Sequence, residues 1–205
     1  MKKVYLHAQV DEERCVGDKL CEFVCPSGAI EISKKKAHIE TSHCVACSRC
    51  VDVCNKRAIQ MVPLREPRAL GVNPAEVDQA RLQELCRRAR MDPDEPICLC
   101  TFTTAREAGA AILKGATSPE EVTRMTGARS ACALWCMAPI LRLLNASGLD
   151  MKPSLKHKWY NIEAALWNVP DEVSDKYPQY RLKEDQTALS DLKLMDSMIF
   201  KFKIE

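Results

Sequence analysis

Apolar and polar residues alternate in short runs over the first part of the chain and take up a helical spacing further on. The alternation over residues 5–10 predicts an opening strand. Two apolar runs, 29–32 and 37–40, flank a turn of three lysines, which predicts a β-hairpin. Residues 63–73 contain two prolines and a glycine and are predicted to form a linker.

Helix signals follow the predicted linker. Asn73 and the proline after it are typical of a helix N-terminus, and the apolar spacing beyond them puts Cys86 on the buried face. Cys86 is therefore either a small buried hydrophobe or a metal ligand. Thr104 and Glu107 have the spacing of a capping box, and Ser118 followed by proline opens another helix. Strands followed by helices predict an α+β chain.

The C-terminal segment, residues 151–205, contains no cysteine but carries seven of the eleven aromatic side chains. Residues 170–181 are predicted to be extended and residues 185–199 helical. Two interpretations stay open: the segment packs back on its own chain, or it docks along a larger subunit through residue types that are enriched at interfaces. We predict docking.

The cysteines of the first part form a repeat with an offset of 29 positions and one broken member. The first run holds Cys15, Asp18, Cys21 and Cys25, and the second holds Cys44, Cys47, Cys50 and Cys54. The spacing is that of iron–sulfur ligand runs in which the fourth thiolate of each run binds the other cluster. A duplicated set of seven cysteines is unusual for structural zinc, which remains the alternative.

Exchange of the fourth ligands gives two cubane-type sites. Cluster one takes Cys15, Cys21, Cys54 and the aspartate at position 18, and cluster two takes Cys25, Cys44, Cys47 and Cys50. Two chemistries fit Asp18: a carboxylate that holds the fourth iron loosely in a 4Fe–4S cluster, or a 3Fe–4S cluster with that corner empty. Both make the two clusters differ in reduction potential.

A second cysteine group forms a four-thiolate set. It consists of Cys98, Cys100, Cys132 and Cys136. Helices between the two pairs can fold them together, and the second pair is predicted to start a helix that runs through Leu144, where free N–H groups favour an anionic ligand. Zinc and an absence of metal are the alternatives to iron and sulfide.

Two family resemblances follow from these motifs. Residues 1–64 resemble a bacterial-type two-cluster ferredoxin, although Asp18 and Asn55 depart from its pattern. Residues 96–145 resemble the bacterioferritin-associated ferredoxin-like domain, which implies a 2Fe–2S cluster on the four later cysteines. The final cysteine pair is spaced by three residues here, whereas two are usual in that family.

The resemblances suggest a division of the chain into four parts. They are a two-cluster ferredoxin-like domain over 1–64, a linker and helix over 65–95, a small all-α 2Fe–2S domain over 96–150, and a partner-docking tail over 151–205.

Composition bears on the compartment and on the class of partner. Twelve cysteines without a visible signal peptide predict reduced, metal-binding thiols and a cytoplasmic location. No apolar run has the length of a membrane span. A net charge of +2 gives no indication of nucleic-acid binding.

The sequence predicts an iron–sulfur electron-transfer subunit of a multi-subunit oxidoreductase. The chain has only seven glycines, no Gly-rich nucleotide loop and no predicted catalytic residues of its own. Chemistry on a substrate is therefore expected in a larger partner, a flavoprotein in the first instance, within a hetero-oligomer. The alternative is a free-standing carrier or an iron- or redox-handling protein that binds its partners transiently.

Overall fold

The computed structural model describes residues 2–132, 135–149 and 169–190. The chain divides into two units, residues 1–161 and 162–205. The first unit contains a strand-rich part and then a helical part, which agrees with the predicted α+β class. Among the described helices, none is both long and apolar enough to cross a membrane.

The strand-rich part is framed by one long antiparallel pair. Strand β1 (Lys2–Val10) pairs with β4 (Ile59–Leu70), and β2 (Ile30–Ser33) pairs with β3 (Lys36–Ile39). Two short helices, α1 (Leu20–Val24) and α2 (Arg49–Asp52), complete the repeat. The predicted hairpin is confirmed, because its turn residues Lys34 and Lys35 both have positive φ, as a tight two-residue turn requires.

The predicted linker over residues 63–73 is wrong up to Leu70. That stretch is the second half of β4, and the first domain therefore extends past residue 64. Prolines fit because the register shifts between Val4 and Leu6, whose partners are Arg68 and Pro63. In an irregular ladder of only two strands, some backbone N–H groups have no partner strand. Proline, which lacks an N–H, loses no hydrogen bond at such positions.

The helical part packs four helices around one apolar core. They are α3 (Gln79–Arg88), α4 (Ala105–Leu113), α5 (Pro119–Thr126) and α6 (Met137–Ala146). Helix α3 contributes Leu82, Leu85 and Cys86 to this core, so it belongs to the helical domain and not to a connector. The domain is also not all-α, since β5 (Pro96–Cys98) pairs with β6 (Thr103–Thr104).

Local capping explains where these helices start. Thr104 Oγ1 accepts from the amide of Glu107 at 3.3 Å, and Ser118 Oγ accepts from the amide of Glu121 at 3.3 Å, as predicted. Asn73 caps only a 3₁₀ turn, Pro74–Glu76, and helix α3 has its own cap at Asp78. The helix start predicted at Asn73 therefore lies five residues too early.

The two parts of the first unit are joined at the N-terminus of the chain. The ammonium group of Lys2 donates to Glu107 Oε1 at 3.0 Å, to Thr103 Oγ1 at 2.9 Å and to the carbonyl oxygen of Thr126 at 2.6 Å. The amide of Gly71 donates to the carbonyl of Met125 at 2.8 Å. The helical part is thus fixed to both strands at one end of the β1–β4 pair, where Lys2 lies opposite Leu70.

In the second unit the described residues 169–190 are helical. Helix α7 (Asp171–Lys176), a 3₁₀ turn (Pro178–Tyr180) and α8 (Leu182–Ser190) follow one another. The prediction of an extended segment over 170–181 is therefore wrong. Residues 150–168 and 191–205, which hold much of the predicted docking segment, lie outside the described residues.

Candidate functional site

The duplicated repeat produces two separate cavities lined by sulfur. The first, site one, is lined by Cys15, Asp18, Cys21 and Cys54, together with Lys56 and the backbone around them. The second, site two, is lined by Cys25, Cys44, Cys47 and Cys50. The structure therefore groups the side chains in the two sets that the spacing predicts, with Cys25 and Cys54 exchanged.

The backbone of the repeat is duplicated as well as its cysteines. Left-handed φ values occur at Gly17 (68°) and Lys19 (69°), and again 29 residues later at Ala46 (56°) and Ser48 (59°). Left-handed residues interspersed with right-handed ones turn successive N–H groups toward one concave side, which suits an anionic ligand. The loops thus present amide donors as well as thiols to each cavity.

Amide-to-sulfur hydrogen bonds follow the same offset. The amide of Ala29 donates to Cys25 Sγ at 3.2 Å, and that of Ala58 donates to Cys54 Sγ at 3.3 Å. Such donors stabilise a thiolate that carries cluster charge and are one means by which a protein sets a cluster's potential.

Site one departs from site two at Asp18. The carboxylate lines the cavity, and its Oδ1 accepts a hydrogen bond from the amide of Leu20 at 3.1 Å at the start of α1. The two cavities are similar in size, so the substitution does not close site one. Ligation by Asp18 and a 3Fe–4S cluster both remain compatible with this arrangement.

Burial keeps several ligand thiols protonated while no iron is bound. Loss of hydration raises the pKa of Cys21 to about 11 and that of Cys50 to about 12, and burial raises the pKa of Cys47 too. Cluster insertion must therefore displace protons from these thiols. The sulfur donors and amide donors of the two cavities fit an iron–sulfur cluster.

The later cysteines form site three, which has a buried and an exposed half. Cys98 and Cys136 are buried, whereas Cys100 and Cys132 are exposed with their sulfur atoms 3.5 Å apart. Cys136 is the N-cap of α6, but Cys132 lies in a bend before it. The prediction that both cysteines stand at the start of one helix is therefore wrong for Cys132, which lies four residues before the N-cap.

Hydrogen bonds in the buried half of site three favour the thiolate form of Cys98, which is the form that binds a cluster. The Cys136 thiol donates to Cys98, which lowers the pKa of Cys98 to about 4 and raises that of Cys136. Thr101 Oγ1 also donates to Cys98 Sγ at 3.1 Å. Within the described ranges no three His, Cys, Asp or Glu side chains form a group that could hold a single metal ion.

Cys86 does not join any of these sites. It is fully buried in the helical core, and loss of hydration raises its pKa to about 11. Of its two predicted roles, the small buried hydrophobe is the one that its surroundings fit.

Sequence reasoning missed a group of arginines between sites two and three. Arg124 Nε donates to the carbonyl of Ser27 at 2.6 Å, and a guanidinium nitrogen of Arg129 donates to the carbonyl of Pro26 at 3.3 Å. Arg49 donates to the carbonyl of Ala131. Their nearness to cysteine ligands along the chain was the only available signal, and it does not reveal contacts across about a hundred residues.

The comparisons with known proteins agree with the order of the sites. Residues 8–31 match the 4Fe-4S binding domain, and residues 96–146 match the BFD-like [2Fe-2S] binding domain. The first match contains the ligands of the first repeat, and the second contains all of site three.

Curated relatives match the chain over part of its length, and two of them are described here. A 52-residue stretch, 25% of this chain and 20% of the relative, is 42% identical to a component of the ion-translocating oxidoreductase complex of Methanosarcina acetivorans. A 90-residue stretch, 42% of this chain and 50% of the relative, is 31% identical to the electron transport protein HydN of Escherichia coli. The chain thus spans a fifth of the length of the first relative and half of the length of the second. A match to a 4Fe–4S binding domain is thus followed along the chain by a match to a BFD-like [2Fe–2S] binding domain.

Proposed function

We propose that this protein is an iron–sulfur electron-transfer subunit of a multi-subunit oxidoreductase. The observation that carries the proposal is the sorting of eight side chains into two cavities, with the fourth thiol exchanged between the repeats. Because each site takes its fourth thiol from the other repeat, the two sites lie close together. Site three lies in the same unit of the chain. Three adjacent sites make a relay.

The clusters, when bound, supply one-electron transfer and no bond-breaking chemistry on a substrate. The residues of the chain hold and tune them. Site one provides three thiolates and Asp18 for a 4Fe–4S or 3Fe–4S cluster, site two provides four thiolates for a 4Fe–4S cluster, and site three provides four for a 2Fe–2S cluster. The N–H groups that face the sulfur atoms stabilise the added negative charge of reduction.

Exposed apolar side chains near sites one and three support the proposal that a protein partner docks at each of these two sites. Phe23 of α1 is 56% exposed near site one, and Phe102 and Trp135 are 81% and 74% exposed near site three. Exposed aromatic side chains of this size are typical of interfaces. The proposed partner is a larger oxidoreductase subunit that carries the substrate chemistry, with a flavoprotein as the expected kind.

The names of the relatives support the same function. One belongs by name to an oxidoreductase complex and the other is called an electron transport protein. The alternative function is a free carrier or an iron- or redox-handling protein that binds partners transiently. The BFD-like match favours it, because that domain type is named after a ferredoxin associated with bacterioferritin.

Purification of the native protein under anaerobic conditions separates the two functions. The subunit proposal predicts a stoichiometric complex with a larger flavin-containing chain that survives size-exclusion chromatography at moderate salt. A monomer with all clusters in place and no bound partner would contradict it and favour the carrier.

A further inference from the structure

Two arginines make mirror-image contacts between sites two and three. The amide N–H of Arg129 donates to the sulfur atoms of Cys98 and Cys136, both ligands of site three. Its guanidinium group extends the other way and donates to the carbonyl oxygen of Pro26 at 3.3 Å, directly after the site-two ligand Cys25. One residue thus touches the ligand shell of one site and the ligand loop of the other.

Arg49 repeats this arrangement in the opposite direction. Its amide N–H donates to the sulfur of Cys47, a ligand of site two. Its guanidinium group donates to the carbonyl of Ala131, directly before the site-three ligand Cys132. The two side chains therefore span the same gap from opposite sides.

The surroundings of Arg129 hold its guanidinium group in one position. Its side chain is 9% exposed and forms an ion pair with Glu120, 3% exposed, at 3.7 Å. Its backbone has a left-handed φ of 69°, which costs free energy in a residue other than glycine and is maintained only where the surroundings require it. The conformation aims the amide at the two thiols while the side chain leaves in the other direction.

We propose that Arg129 and Arg49 are positioning residues that make sites two and three direct neighbours in the relay, with site one on the far side of site two. This inference rests on the proposed function. The arginines fix the separation of the two ligand shells, and their charges favour the reduced, more negative state at both. Within the described part of the chain, site one has neither contact and depends on neither residue.

The test is a redox titration of Arg129→Gln, followed by EPR, under anaerobic conditions. Loss of the cation should make the reduction of sites two and three about tenfold less favourable at equilibrium, a shift of about 59 mV toward negative potential for a one-electron couple. The potential of site one should stay at the wild-type value.

Arg124→Gln is the matched control. Arg124 also donates to the loop after Cys25, at 2.6 Å to Ser27 and 3.3 Å to Gly28, but it makes no described contact with a sulfur of site three. Its replacement should shift site two alone. Arg129→Lys, which keeps the charge, should leave all three potentials near wild type.

Removal of Arg129 leaves Glu120 without its arginine, which can impair folding. Arg49→Gln then provides the same test, because Arg49 is only partly buried and should also shift sites two and three together. Wild-type protein with three EPR-active sites and variants that shift none, or all three equally, would overturn the inference alone. Wild-type protein without a 2Fe–2S signal would overturn the proposed function as well.

Discussion

Asp18 Oδ1 accepts a hydrogen bond from the amide of Leu20 at 3.1 Å at the N-terminus of α1. The residue 29 positions later is Cys47, a lining residue of site two. One side chain therefore occupies a ligand position and stabilises a turn at once. Whether it also binds iron decides the composition of site one.

Asp18→Cys is expected to give a 4Fe–4S cluster with four thiolates at site one. We expect a change in the potential of site one and, if the wild type holds a 3Fe–4S cluster, one additional iron atom per chain. Loss of the turn hydrogen bond should cost about 1 kcal/mol of stability. Iron analysis and EPR of the oxidised protein measure the outcome.

Asp18→Asn is the control, because the amide oxygen keeps the turn but binds iron poorly. Unchanged iron content and potential in Asp18→Cys would mean that Asp18 does not face the cluster.

Gly17→Ala should damage site one selectively. A Cβ at this position would lie 2.5 Å from the backbone carbonyl group of Lys35, and the φ of 68° is itself unfavourable for alanine by about 1 kcal/mol. We expect loss of site-one iron with site two retained, measured by iron content and EPR. The equivalent residue of the second repeat is alanine, so Ala46→Gly should leave both clusters in place. Full iron content in Gly17→Ala would contradict this account of the loop.

Lys2→Met should weaken the junction of the strand-rich and helical parts. The ammonium group satisfies Glu107, Thr103 and a carbonyl in a partly buried position, so its loss is expected to cost about 1–3 kcal/mol and lower the melting temperature. Lys3→Met is the control, because Lys3 is exposed. Equal melting temperatures for the two variants would show that the Lys2 contacts contribute nothing.

Cys86 should resist alkylation in the folded protein. Its burial and its pKa of about 11 leave almost no accessible thiolate at pH 8. The folded pKa lies above the ordinary thiol value of 9.0, so the thiol form contributes stability below pH 9, and this contribution is lost as the pH rises toward 11. Mass spectrometry after iodoacetamide treatment should find Cys86 labelled only after unfolding, and rapid labelling of native protein would contradict this.

The grouping of side chains in the first two cavities and several helix starts could be predicted from sequence because they depend on local spacing. The caps at Thr104 and Ser118 are contacts over three residues, and the duplicated spacing predicts which side chains line each cavity, with Cys25 and Cys54 exchanged. The β1–β4 pairing places Lys2 opposite Leu70, and the sequence did not predict it because the prolines of β4 are typical of a linker. The contact of Arg129 with Pro26 crosses a sequence separation that no periodicity reports.

The central claim is that one chain holds three iron–sulfur sites, two of cubane type and one of 2Fe–2S type. Anaerobic iron and sulfide analysis, with EPR of the oxidised and the reduced protein, tests it most directly. The account predicts about ten iron atoms per chain, or about nine if site one is 3Fe–4S, and separate signals from all three sites. About eight iron atoms and no 2Fe–2S signal would contradict it.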